Sequence, residues 1–221
     1  MEEDAVVRRT LHVFASVVFV LLLSEAVSVG SDAFTRISLP HGISIEVPAH
    51  WTVLSEATRA NLSAVGQSVI ELSGLETASE TRVNLLAVNA TPSPCGATIR
   101  VAYSSPPTFT EEQIESIDKE TLAMLGKMQG EVFRKLEARG GPRLIGEPTA
   151  VIAKVGGIRS LGIEYLREDP SGRGPWRVTI FHTPVGKWGT SITVSYRERE
   201  ATMWYPIVFK SIMSVRFTAV K

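Results

Sequence analysis

Cys95 is the only cysteine in the chain, and it stands in a loop rich in Pro and Thr between Asn89 and Ala97. A thiol becomes a catalytic nucleophile when a base lies within hydrogen-bond reach and a third group orients that base. Outside the N-terminal apolar run the histidines are His41, His50 and His182, of which His182 or His50 could be that base. No family-specific cysteine-protease signature surrounds Cys95, so an incidental thiol is the expectation. The histidines show no His-x-x-x-His spacing and no clustered acids, so no metal site is expected. A serine hydrolase would need a Gly-x-Ser-x-Gly elbow, and none is present. No glycine loop ends in Gly-Lys-Ser/Thr, and Gly172-Arg-Gly174 sits in a hairpin rather than ahead of a helix. The expectation is a protein that is not an enzyme, with no catalytic residue and no cofactor site.

Recognition is a better use of the conspicuous side chains. Trp176 and Trp188 fall near the two ends of one predicted hairpin, with Arg173, Arg177 and Lys187 beside them. Exposed together, these five would form a basic aromatic surface suited to a protein partner or an acidic glycan.

The elements that must position these residues follow from hydrophobic period. Ile43, Ile45 and Val47 alternate up to Pro48; Arg82–Ala90 and Thr98–Tyr103 read as further strands. Residues 56–70 read as a weak helix. Thr110 with Gln113 is a capping-box pattern opening the longest helix, which Gly140-Gly141-Pro142 stops. Asp118 offers a second cap, so a short turn followed by a longer helix fits the same residues. Strands from Thr149 to Val155, Ile158 to Arg167, Trp176 to Thr183 and Lys187 to Arg197 then follow through short turns, which force antiparallel neighbours. A terminal amphipathic helix carries Met203, Trp204, Ile207, Val208, Ile212 and Met213. Strands, helix, strands, helix in separated runs predict an α+β fold: one antiparallel sheet flanked by helices, in a single domain.

The 221 residues hold 23 basic and 23 acidic side chains, a formal net charge of zero, and 44% are apolar. That supplies a core and no global field for nucleic acid, so no nucleic-acid partner is expected. At the N-terminus, Arg8 and Arg9 precede an apolar run from Leu11 to Leu23, then small residues at Ala26, Ser28, Gly30 and Ser31. Basic, apolar, small is the pattern of a secretory signal peptide, read here as residues 1–30 with the domain at 31–221. As a helix the run spans about 20 Å, short of the roughly 30 Å of hydrocarbon, so no stable membrane span is expected after cleavage. An exported chain with one cysteine has no internal disulfide and relies on its core.

Three stretches carry a resemblance. Gly42-Ile-Ser-Ile-Glu-Val-Pro-Ala-His-Trp51, Val155-Gly-Gly with Glu164-Tyr-Leu-Arg167, and Thr193-Val-Ser-Tyr-Arg197 with Ile212-Met-Ser-Val-Arg-Phe217 together resemble the PsbP-like α/β/α sandwich superfamily, which includes DcrB-like proteins. The resemblance spans most of the chain after residue 30. It implies an antiparallel sheet between helices in a bacterial exported protein, and a habit of acting as a binding or assembly factor. It carries over no catalytic residue.

The functional expectation is therefore an exported, periplasmic or secreted, non-enzymatic binding or assembly factor of the cell envelope with an envelope protein as partner. One alternative is a small-molecule or glycan-binding protein using a pocket between sheet and helix. The other is a thiol-dependent enzyme at Cys95.

Overall fold

A computed structural model describes residues 33–61 and 81–218. The signal-peptide segment and most of the weak helix expected over 56–70 lie outside the described residues; 56–61 are helical. In chain order the strands are β1 (Phe34–Ser38), β2 (Ile43–Pro48), β3 (Thr52–Val53), β4 (Thr81–Asn89) and β5 (Ala97–Ser105). Helices α1 (Glu111–Glu115) and α2 (Lys119–Glu137) come next, then β6 (Leu144–Val155), β7 (Ile158–Arg167), β8 (Trp176–Val185) and β9 (Trp188–Arg197). The described chain ends with α3 (Ala201–Met213) and β10 (Arg216–Phe217).

The two helix starts follow from their caps. The Thr110 hydroxyl accepts from the Gln113 amide at 3.2 Å, and the Gln113 side chain accepts from the Thr110 amide at 2.8 Å. The Asp118 carboxylate accepts from the Thr121 amide at 2.7 Å and starts the longer helix. Strands β6 to β9 form a meander because each return is short. The first turns on Gly156 and Gly157, both at positive φ.

Instead of one sheet, the described residues form two. The large sheet has the order β3-β4-β5-β9-β8-β7-β6, and β1-β2-β10 form a second, three-stranded sheet. All pairings are antiparallel. The segment after α3 is thus not a helix tail: Arg216 pairs with Ser44 and Phe217 with Ile43. Strand β6 also starts earlier than the expected Thr149. It runs through Pro148 with a register irregularity between Ile145 and Thr149 and positive φ at Gly146. Being last in the order of the described strands, β6 can hold a proline on its outer edge without breaking a ladder bond with any of them.

One face of the large sheet is covered by the small sheet and α3. Val88, Ile99, Val101, Ile192 and Val194 pack there against Ile43, Ile45, Val47, Val208 and Ile212. The other face is covered at the β6–β7 end by α1 and α2, where Ile114, Leu161 and Ile163 are buried among Ile117, Leu122, Leu125 and Ile152. Helix α2 approaches β6 through Gly126 and Gly130. A Cβ on Gly126 would lie 2.7 Å from the Pro148 carbonyl oxygen, a backbone atom that cannot swing aside. Helix propensity alone would make Gly126→Ala stabilising by about 1 kcal/mol. We expect the opposite sign, a loss of about 1–3 kcal/mol from overpacking, read as a lower urea midpoint. A gain would show that α2 floats on the sheet.

Candidate functional site

Cross-strand register assembles a site on the α2 face of the sheet, beyond the part that α1 and α2 cover. Directly opposed residues in antiparallel strands share a face. Arg167 on β7 opposes Trp176 on β8, which opposes Arg197 on β9. The next row on the same face is Tyr165, Val178, Ser195, Thr98 and Asn89, and the one after it contains Ile163, Ile180, Thr193 and Arg100. Towards β7 these rows are apolar and lie under the helices. Towards β5 they are short and polar, which leaves a concavity.

That cleft encloses about 540 Å³, within the range of small-ligand sites. Its floor is Thr98, Thr193, Ser195 and Asn89; its rim is the Cys95 loop on one side and Arg173 of the β7–β8 hairpin loop on the other. Arg100, Arg167 and Arg173 line it, and no aspartate, glutamate, lysine or histidine does. Arg100 and Arg167 form no ion pair among the described residues, whereas Arg36, Arg134, Arg143, Arg177 and Arg199 each have a glutamate partner. The Arg100 guanidinium is held by the Val88 and Ile99 carbonyls at 2.7 and 3.0 Å and by the Asn89 amide oxygen at 2.7 Å. Burial lowers its pKa from the ordinary arginine value. Arg173 is partly compensated by Asp169 at 3.8 Å, a carboxylate held down to about 2 chiefly by the Ser171 amide. Positive charge is in excess along the lining, with Asp169 beside Arg173 and Trp176 as the near carboxylate, and a field of that sign attracts anions.

Trp176 organises one end. The Arg167 and Arg197 guanidiniums lie 5.8 and 5.6 Å from its ring centroid, within cation–π range. Because β8 runs between β7 and β9, the two arginines flank the indole.

The five residues expected to form one basic aromatic surface are divided among three places. Trp176 and Arg173 line the cleft. Arg177, next along the strand, points to the opposite face, where Glu198 grips it at 2.7 Å and Glu164 pairs with it as well. Trp188 opposes Val185 at the far end of the hairpin, roughly 30 Å from Trp176 by strand rise. There it joins Tyr103, His41 and Phe217 in an aromatic cluster between the two sheets, while Lys187 is exposed in the turn. Strand alternation separates Trp176 from Arg177, and strand length separates Trp176 from Trp188.

Cys95 lies on the cleft rim, and its thiol donates to the Ala97 carbonyl at 2.9 Å. His182 is not its base. His182 opposes Ser191, five residues along β9 from Tyr196, which opposes Ala97, a separation of roughly 16 Å. His182 instead bonds Ser191 at 3.2 Å and packs edge-on to Phe109. No group of three metal-ligating side chains occurs among the described residues. No described helix is long and apolar enough to cross a membrane.

Sequence reading missed Arg100, Arg167 and Arg197 as site residues. The signal for Arg100 was an arginine between Ile99 and Val101 in a strand whose two faces both meet protein.

This architecture, a large antiparallel sheet with α1 and α2 on one face and the small sheet and α3 on the other, has the PsbP-like α+β fold. The chain is similar to cyanobacterial PsbP (CyanoP) from Synechocystis, with a TM-score of 0.50 and 12% identity over 89% of this chain and 99% of that one. At that identity the likeness shows the fold alone. Weaker similarity extends to LpqN, involved in cell envelope biogenesis of Mycobacterium tuberculosis (TM-score 0.41, 13% identity, 89% of this chain and 96% of that chain). It extends also to the Saccharomyces cerevisiae Ran-binding protein Mog1p (TM-score 0.40, 10% identity, 85% and 96%). No family model and no curated protein sequence matches the chain.

Proposed function

We propose that this chain is an exported, non-enzymatic binding or assembly factor of the cell envelope, and that the cleft above β5, β9 and β8 is where it takes an acidic partner. The observation that carries this reading is the lining: three arginines converge on a concave surface that contains no carboxylate. Such a set holds charge and supplies no general base. The N-terminal pattern of Arg8 and Arg9, an apolar run and small residues supports export.

The test places a photo-crosslinking residue at Ser93, on the rim, in the full chain in its native envelope. The expected result is a discrete adduct on a product whose N-terminus lies near residue 31, with yield falling at least about tenfold in an Arg167→Ala background, as loss of a charge-assisted contact predicts. No adduct, or one indifferent to Arg167, overturns the cleft as the binding site. An intact N-terminus overturns export.

A further inference from the structure

We propose that the ligand of the cleft is an acidic saccharide: its oxyanion, carboxylate or phosphate, docks at the Arg167–Trp176–Arg197 row, and its hydroxyls lie on the polar floor. The proposal rests on the cleft being the binding site described above and names what that site takes.

The anion end is an incomplete receptor. Arg197 is 2% exposed, yet its Nη2 has no hydrogen-bond partner, and it forms no ion pair among the described residues. Its Nε donates to the Cys95 carbonyl at 3.3 Å, and its guanidinium lies against Trp176, so it sits directly behind two residues that line the cleft. Buried guanidinium N–H groups are normally satisfied, and an orphan beside a cleft calls for an explanation. Standing behind the lining, Arg197 contributes uncompensated positive charge to that end of the cleft. Arg167, across the indole, is similarly under-used: its side-chain bond is a long one, 3.4 Å to the Glu168 carbonyl. The two arginines stand on opposite sides of the indole, so the oxyanion is bound by Arg167, which lines the cleft, while Arg197 adds positive charge from behind the ring.

The floor argues for a polyol. Thr98 and Ser195 hydroxyls bond each other at 2.7 Å across adjacent strands, and Thr193 and Asn89 extend the same surface. Hydroxyls and a primary amide both donate and accept, as sugar hydroxyls do. The Arg100 bond to the Asn89 amide oxygen leaves the Asn89 NH₂ as a donor. Other acidic ligands fit less well. An acidic peptide would want a free strand edge or apolar side-chain pockets, but β5 and β9 are interior strands with neighbours on both sides. A nucleotide base would want a free aromatic face, but Trp176 is flanked by two guanidiniums and Tyr165 is packed on Phe133 at 4.3 Å.

Calorimetric titration of the full chain at low ionic strength with glucuronate, glucose 6-phosphate, glucose, inorganic phosphate and an oligoglutamate peptide tests this. At least one acidic sugar is expected to bind about tenfold or more tighter than both glucose and phosphate. Arg167→Gln should remove that advantage, and Arg167→Lys, which keeps the charge but loses the fork, should reduce it, in each case by about tenfold. Thr98→Val should weaken the sugar and leave phosphate unchanged. Whether glucuronate or glucose 6-phosphate wins distinguishes carboxylate from phosphate. Sugars binding no better than phosphate, or weaker than the peptide, with either anion still dependent on Arg167, would overturn the saccharide while leaving the cleft as an anion site. Glucose binding as tightly as its acidic analogues would overturn the anion subsite. No Arg167-dependent binding by any probe would sink both.

Discussion

Trp204→Ala is expected to lower the unfolding free energy by about 3 kcal/mol, near the bottom of the range for aromatic truncation because the ring is half-buried. Trp204 is how α3 grips the sheet. Its indole meets Trp51 edge-on at 5.8 Å, and its N–H donates to Glu200 at 2.8 Å just ahead of the helix. Gly96, just ahead of β5, lies so close that a Cβ there would be 2.7 Å from the indole. Removing the ring strips α3 of its contacts with Trp51 and with the chain at Gly96. Trp204→Phe is the control, because it keeps most of the ring and loses the Glu200 bond, about 1 kcal/mol. Urea unfolding of both variants reads the difference. A loss under 1 kcal/mol for Trp204→Ala would mean that α3 is held by Val208 and Ile212 alone.

The second large effect is on acid stability. Burial, with a smaller contribution from Arg82, lowers the His182 pKa from its ordinary value to about 4. The imidazole is therefore neutral in the folded protein until about pH 4, whereas in the unfolded chain it takes up a proton near pH 6.5. Between those values the unfolded state binds more protons, so stability falls as pH drops through that window. The full difference is about 3 kcal/mol, from about 1.4 kcal/mol per unit. His182→Gln can still bond Ser191 but does not titrate, so its stability should be nearly flat from pH 7 to 5 while the natural protein declines. The carboxylates with lowered values, Asp169 and Glu198 among them, give up their stabilisation only at lower pH, as pH falls through their folded values. Equal slopes for the two proteins between pH 7 and 5 would show that His182 is solvated.

Much of the framework was legible because its signals are local. Thr110 with Gln113, then Asp118 with Thr121, marks two helix starts within a dozen residues, and both caps form. The β6–β9 meander is dictated by its turns. The second sheet was not legible: β10 has two residues, too few to show a period, and its pairing with β2 joins segments far apart in the chain. The cleft was hidden for a related reason. Strand β9 inserts between β5 and β8, so Thr98 meets Ser195 and Arg100 opposes Thr193 across about half the chain. Trp176 and Arg173 could be singled out by type. The partners that give them meaning, Arg167 and Arg197, emerge only from the register.

Strand β6 has a consequence for the molecule in company. Its outer edge carries unclaimed backbone donors and acceptors, since no described strand pairs beyond it. Over the first half, Gly146, Pro148 and the slipped register spoil that edge as a template. Over Thr149–Val155 nothing comparable intervenes except the exposed Lys154. Self-templated growth into ribbons, if the chain is concentrated or partly unfolded, would start from that seven-residue stretch. The charge on Lys154 is its gatekeeper.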